Sequence, residues 1–211
     1  VVLGSQNAAL IVENSFWLSF ADSSFVFVKH DPRPGASTNG QRPSVILRGI
    51  NHTAEGGGGG KYNVNTVYIV RFERIVFVGG GVQYQQLTAG WQWPGWFDFV
   101  WCVTENAATP LLDLQVSPAA TQGNGPVKGF KGLQDITIQD FSAADNASPS
   151  YYQPFLADLP VGRRGGHDKK GHSLSGLVPV VAINCTTAAM GNNQCGIDGL
   201  LIVGASVNEG G

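Results

Sequence analysis

Val64-Asn65-Thr66-Val67-Tyr68-Ile69-Val70-Arg71-Phe72-Glu73-Arg74-Ile75-Val76-Phe77-Val78 is the longest periodic stretch of the chain. Read with a period of two, Val67, Ile69, Arg71, Glu73, Ile75 and Phe77 share one face. Tyr68, Val70, Phe72, Arg74, Val76 and Val78 share the other. A helix is the rival reading, because Arg71, Glu73 and Arg74 cluster mid-segment. The density of β-branched residues and the closing Gly79-Gly80-Gly81 favour one long or bulged strand.

The same short period runs outward in both directions. Upstream lie Ala8 to Val12, then Phe16, Leu18 and Phe20, then Phe25 to Val28 after the turn-like Asp22-Ser23-Ser24, then Ser44 to Ile50. Downstream, Phe97, Phe99 and Trp101 alternate with Asp98, Val100 and Cys102 behind the Pro94-Gly95 turn signal. Leu111–Val116, Leu133–Phe141, Leu177–Ile183 and Leu200–Val207 complete about nine to eleven strands of the kind that β-branched and aromatic runs form. No amphipathic helix and no internal repeat are evident. Turn signals every ten to twenty residues predict an all-β fold, a two-sheet sandwich or jelly roll, in a single domain over 1–211. Long Gly/Pro-rich loops are expected at Asp31–Pro43, Gly56–Gly60, Gly123–Gly132 and Val161–Gly176.

Composition narrows the function classes. Charged residues make up 13% of the chain, against roughly 25% in an ordinary soluble domain. Gly, Asn, Gln, Ser and Thr take their place and leave a neutral, hydrogen-bonding surface. The net charge of −2 gives no global basic field for nucleic acid or anionic lipid. No apolar run approaches the roughly 20 residues of a membrane-spanning helix. Val1 to Asn7 does not read as a signal peptide, so a secreted chain would be in its mature form. Of the three cysteines, Cys185 and Cys195 flank a turn-forming Gly191-Asn192-Asn193, a spacing that suits a disulfide. Cys102 reads as a buried free thiol. Asn51, Asn146 and Asn184 head three N-x-S/T sequons. Low charge, disulfide spacing and sequons together predict an extracellular or particle-surface location.

Candidate chemistry is sparse. Gly171-His172-Ser173-Leu174-Ser175-Gly176 misses the nucleophile elbow by one residue and lacks its strand–helix context. Glu55 to Tyr62 has the glycines of a phosphate loop but not its first glycine or its magnesium hydroxyl. His167, Asp168 and His172 are metal-ligand types, but Lys169 and Lys170 beside them repel a cation; no metal and no cofactor are predicted. Arg163, Arg164, Lys169 and Lys170 form a basic loop, a solvated surface or a contact for acidic groups. Glu73, Asp98, Glu105, Asp113 and Asp135 lie in or beside strands without a paired-carboxylate motif.

The aromatic block Trp91, Trp93, Trp96 and Trp101 is the strongest feature. Trp91, Trp93 and Trp96 flank a turn and are expected at the surface, where tryptophan stacks on sugars or anchors interfaces; Trp101 is expected in the core. The leading expectation is a structural subunit of an extracellular or particle-like assembly (capsid, fibre or appendage), self-associating through subunit contacts. The alternatives are a secreted glycan-binding module using the surface tryptophans, and a secreted glycoside hydrolase on a jelly-roll scaffold.

Overall fold

The computed structural model describes residues 8–26, 43–50, 65–105, 107, 109–121, 129–144, 181–185 and 196–208. The chain alternates between two sheets. Leu10–Glu13 (β1), Val45–Gly49 (β3), Val82–Gln86 (β5), Leu112–Val116 (β8) and Val181–Cys185 (β11) form the smaller sheet in that order. Phe16–Val26 (β2), Tyr68–Val78 (β4), Gly95–Val100 (β6), Val103–Glu105 (β7), Gly132–Gln139 (β9), Ser142–Ala144 (β10), Gly196–Val203 (β12) and Ser206–Asn208 (β13) form the larger one. Among the described residues the only helical element is a 3₁₀ turn at Pro118–Thr121.

All pairings among these strands are parallel, and no strand pairs with its neighbour in sequence. β1 pairs β3, β3 pairs β5, β2 pairs β4, and so on. Each circuit of the chain therefore lays one rung over both sheets and the next circuit stacks on it: the described residues make five rungs of a parallel solenoid. This corrects the sandwich or jelly-roll expectation. The strand content was predicted, but those folds join neighbouring strands by antiparallel hairpins, whereas parallel strands need a crossover of a dozen residues or more. The turn signals are corners of one circuit. Asp22-Ser23-Ser24 lies inside β2, and Pro94-Gly95 leads into β6 without reversing the chain.

The corners explain the pattern of β4. Val70, Phe72, Ile75 and Phe77 are buried, while Arg71 and Arg74 are exposed. Strict alternation assigns Phe72 and Ile75 to opposite faces. Arg74 has a φ of 53°, in the left-handed region, and this one residue bends the strand and returns Ile75 to the inside. Every rung repeats the device. Register aligns Trp17, Ile69, Trp96, Asp135 and Gly199 as one row of left-handed corners. Asp22, Arg74, Trp101, Asp140 and Gly204, each five residues further on, form the second row. The larger sheet curls around these two rows. The chain thus does carry an internal repeat: inward residues one, three, six and eight positions after the first corner. The corner recurs at 17, 69, 96, 135 and 199, so the insertions between rungs differ in length and hide the period.

Stacking in register fills the core with ladders. Phe20, Phe72 and Phe99 stack with centroids 5.0 and 5.2 Å apart, close to the ~4.8 Å between strands. Phe25 lies over Phe77 in the same way; outside the strand register, Tyr84 stacks on Phe130. A buried polar knot sits beside them. Tyr84 shares a hydrogen bond with Thr66 at 2.8 Å, and Gln86 Nε2 donates to the carbonyls of Asn65 and Thr88. Burial raises the Tyr84 phenol well above its usual range. Cys102 is a buried free thiol, pushed up to about 11 by desolvation. Gly132 is required by a close approach: a Cβ there would stand 2.2 Å from the Gly196 carbonyl oxygen and 2.7 Å from the Trp93 ring.

Candidate binding surface

The outer face between the two corner rows collects the exposed aromatic and charged side chains. A left-handed backbone disfavours residues with a Cβ by roughly 1–2 kcal/mol, and glycine, asparagine and aspartate fill such corners most readily. The fourth and fifth rungs follow that rule with Asp135, Asp140, Gly199 and Gly204. The first three rungs depart from it at every corner but Asp22. Trp17, Ile69 and Trp96 occupy the first corner row, and Trp101 joins Asp22 and Arg74 in the second. Trp17 is 76% exposed, Trp96 53% and Trp101 51%, so bulky apolar rings stand in solvent on unfavourable backbone.

Two residues beyond the first corner runs a polar row of Ser19, Arg71, Asp98 and Thr137. Arg71 Nε donates to Glu73 at 3.0 Å, and its Nη1 lies 3.7 Å from Asp98. At the second corner, Arg74 donates to Glu73 and to both oxygens of Asp22, and lies 6.0 Å from the Trp101 ring centroid. Trp101 Nε1 donates to Asp140 at 3.0 Å. These bonds hold the Asp22 and Glu73 carboxyls below the ordinary carboxylate range: Arg74 is the main cause for Asp22, and Arg71 followed by Arg74 for Glu73. Beside the first corner, Phe16 stacks on Tyr68 at 5.4 Å, and Tyr68 meets Trp91 at 4.5 Å with the rings tilted by 31°.

The smaller sheet presents a different outer face, a ladder of amides and charges. Arg48 binds Glu13 and Gln85, each at 2.9 Å; Gln85 donates to Gln83; Gln83 and Gln115 both donate to Asp113. Asp113 is buried although its position faces outward.

The predicted trio of tryptophans is divided by this geometry. Trp91 is 45% exposed and belongs to the Phe16–Tyr68 stack; Trp93 is half-buried over Gly132; Trp96 stands free of ring contacts among the described residues. Trp101, expected in the core, is exposed instead, because the corner turns it outward. Of the acidic candidates, Glu73 and Asp98 share Arg71, Asp135 is a corner, and Glu105 is exposed at the end of β7. Arg163, Arg164, His167, Asp168, Lys169, Lys170, His172, Cys195, Asn51 and Asn146 lie outside the described residues, as do the side chains of Cys185 and Asn184. No group of metal-ligating side chains occurs among the described residues, and no helix there is long and apolar enough to cross a membrane. Reading the sequence missed Trp17, Arg71, Arg74 and Asp140 as surface partners. The signal that finds them is the five-residue spacing of paired corners, Trp17 to Asp22, Trp96 to Trp101 and Asp135 to Asp140. Comparison with known protein families, with curated proteins and with solved structures yields no match.

Proposed function

We propose that the chain is a structural subunit whose copies associate through the two ends of the solenoid. The supporting observation is the exposure of the end rungs. Positions that are fully buried in the middle rungs, as at Phe72 and Phe99, hold Ile202 at 41% exposure in the fifth rung. Leu200, at an inward position of the same rung, is 44% exposed, where Val70 and Phe97 are buried in the middle rungs. In the first rung Leu18 and Phe20 are only half-buried. Among the described residues β1, β2, β11, β12 and β13 each pair on one side only, so no described strand covers their other edges. Such an edge recruits another strand unless something blocks it.

Head-to-tail addition continues the register. The fifth rung of one copy then meets the first rung of the next, with Leu200 against Leu18 and Ile202 against Phe20. The same register sets Asp198 against Phe16. No pair of like charges is opposed in the larger sheet, and the contact is heterologous, which builds filaments unless it closes into a ring. The test is light scattering over a concentration series with negative-stain microscopy. Wild type associates end to end. Phe16→Glu, which opposes a second carboxylate to Asp198, weakens association, and Phe16→Lys strengthens it. A wild type that stays strictly monomeric at high concentration removes the proposal, as does an equal effect of the two substitutions.

A further inference from the structure

We infer that the first corner row and the polar row beside it form a binding site for a neutral oligosaccharide laid along the solenoid axis. Three observations lead there. First, Trp17 and Trp96 combine a left-handed backbone, at φ 57° and 62°, with high solvent exposure. Neither feature serves the fold, since the fourth and fifth rungs make the same corner with Asp135 and Gly199. Strain and exposed apolar area at one position point to a ligand that uses the ring.

Second, the arrangement is two-sided. Trp17, Ile69 and Trp96 make an apolar stripe over three successive rungs, and Ser19, Arg71 and Asp98 make a hydrogen-bonding stripe parallel to it. A pyranose ring has the matching division, an apolar face of C–H groups and a rim of hydroxyls. The ring faces take the first by stacking and the guanidinium, carboxylate and hydroxyl take the second. At ~4.8 Å per rung the two tryptophans stand roughly 10 Å apart along the axis, which suits an extended chain of a few sugar rings rather than a single one.

Third, charge selects the class. Asp22, Glu73, Asp98, Asp135 and Asp140 surround the site, against Arg71 and Arg74. Both arginines are engaged with carboxylates, so among the described residues of the two corner rows and the polar row an acidic sugar meets like charge without a free cation to offset it. Trp101 lies in the other corner row, with its N–H given to Asp140 and Arg74 near its ring, and falls outside the site.

The experiment is a glycan array carrying neutral and uronate- or sialate-containing oligosaccharides, followed by titration calorimetry on the best neutral ligand. Wild type binds neutral oligosaccharides. Trp17→Asn and Trp96→Asn, which suit the left-handed corner, lower affinity at least tenfold while keeping the wild-type circular dichroism and cooperative melting. Trp96→Tyr keeps binding within about tenfold of wild type, and Trp101→Asn leaves it unchanged. Absence of neutral-glycan binding, binding confined to acidic glycans, or wild-type affinity in both asparagine variants overturns the inference.

Discussion

Replacing Phe72 by alanine tests the ladder at its most loaded point. The ring is fully buried, stacks on Phe20 at 5.0 Å and Phe99 at 5.2 Å, and meets Phe77 edge-on at 5.5 Å. Truncating a buried Phe to Ala costs about 3–5 kcal/mol, the transfer of the ring plus the cavity left behind. Each aromatic pair adds about 0.5–1.5 kcal/mol, in part already counted in that loss, so the expected cost is toward the top of the range, about 5 kcal/mol. Phe16→Ala supplies the internal comparison. Phe16 is 57% exposed and its one ring contact among the described residues is with Tyr68, so the same truncation should cost about 1 kcal/mol. Urea unfolding followed by far-ultraviolet dichroism reads both values. A cost for Phe72→Ala below about 2 kcal/mol, or no larger than that for Phe16→Ala, refutes the stacked core.

Two further perturbations follow from single positions. Cys102 has its thiol pushed up to about 11 by burial, so between the unfolded value near 8.5–9 and pH 11 the unfolded chain loses a proton that the folded one keeps. Stability is therefore full below about pH 8.5 and falls as pH rises to 11. The thiol accounts for at most about 3 kcal/mol of that fall, and Tyr84, also raised, contributes at the upper end. Cys102→Ala should flatten the profile between pH 9 and 10 relative to wild type in urea melts; identical slopes contradict the assignment. Gly132→Ala forces a methyl against the Gly196 carbonyl and the Trp93 ring, and should cost about 3 kcal/mol or more in thermal unfolding. A melting temperature within a degree of wild type contradicts the close approach.

Strand content was legible because β-branched and aromatic runs need no tertiary information. β1, β3, β6 and β8 fall where the alternation at Leu10, Val45, Phe97 and Leu112 places them. Direction was not legible. Alternation is the same in parallel and antiparallel strands, and turn chemistry at Asp22 or Gly95 serves a corner as readily as a hairpin. The repeat was hidden twice, by insertions of unequal length and by the left-handed residue that shifts alternation inside each strand. The side chains at that residue differ from rung to rung, from Ile69 to Gly199, so composition does not mark it. For the same reason Trp101, one residue past an ordinary alternating strand, reads as core from Phe97-Asp98-Phe99-Val100 and stands at the surface.

Cross-linking across β4 and β6 measures strand direction itself. In a background with Cys185→Ser and Cys195→Ser, parallel register places residue 71 opposite 98 and 73 opposite 100, at roughly 4.8 Å between backbones and within disulfide reach. The crossed pairs 71 with 100 and 73 with 98 lie about 8 Å apart, beyond reach. The solenoid predicts rapid oxidation of Arg71→Cys/Asp98→Cys and Glu73→Cys/Val100→Cys and none of the crossed pairs. Oxidation of the crossed pairs in place of the direct ones means antiparallel strands, and no rungs.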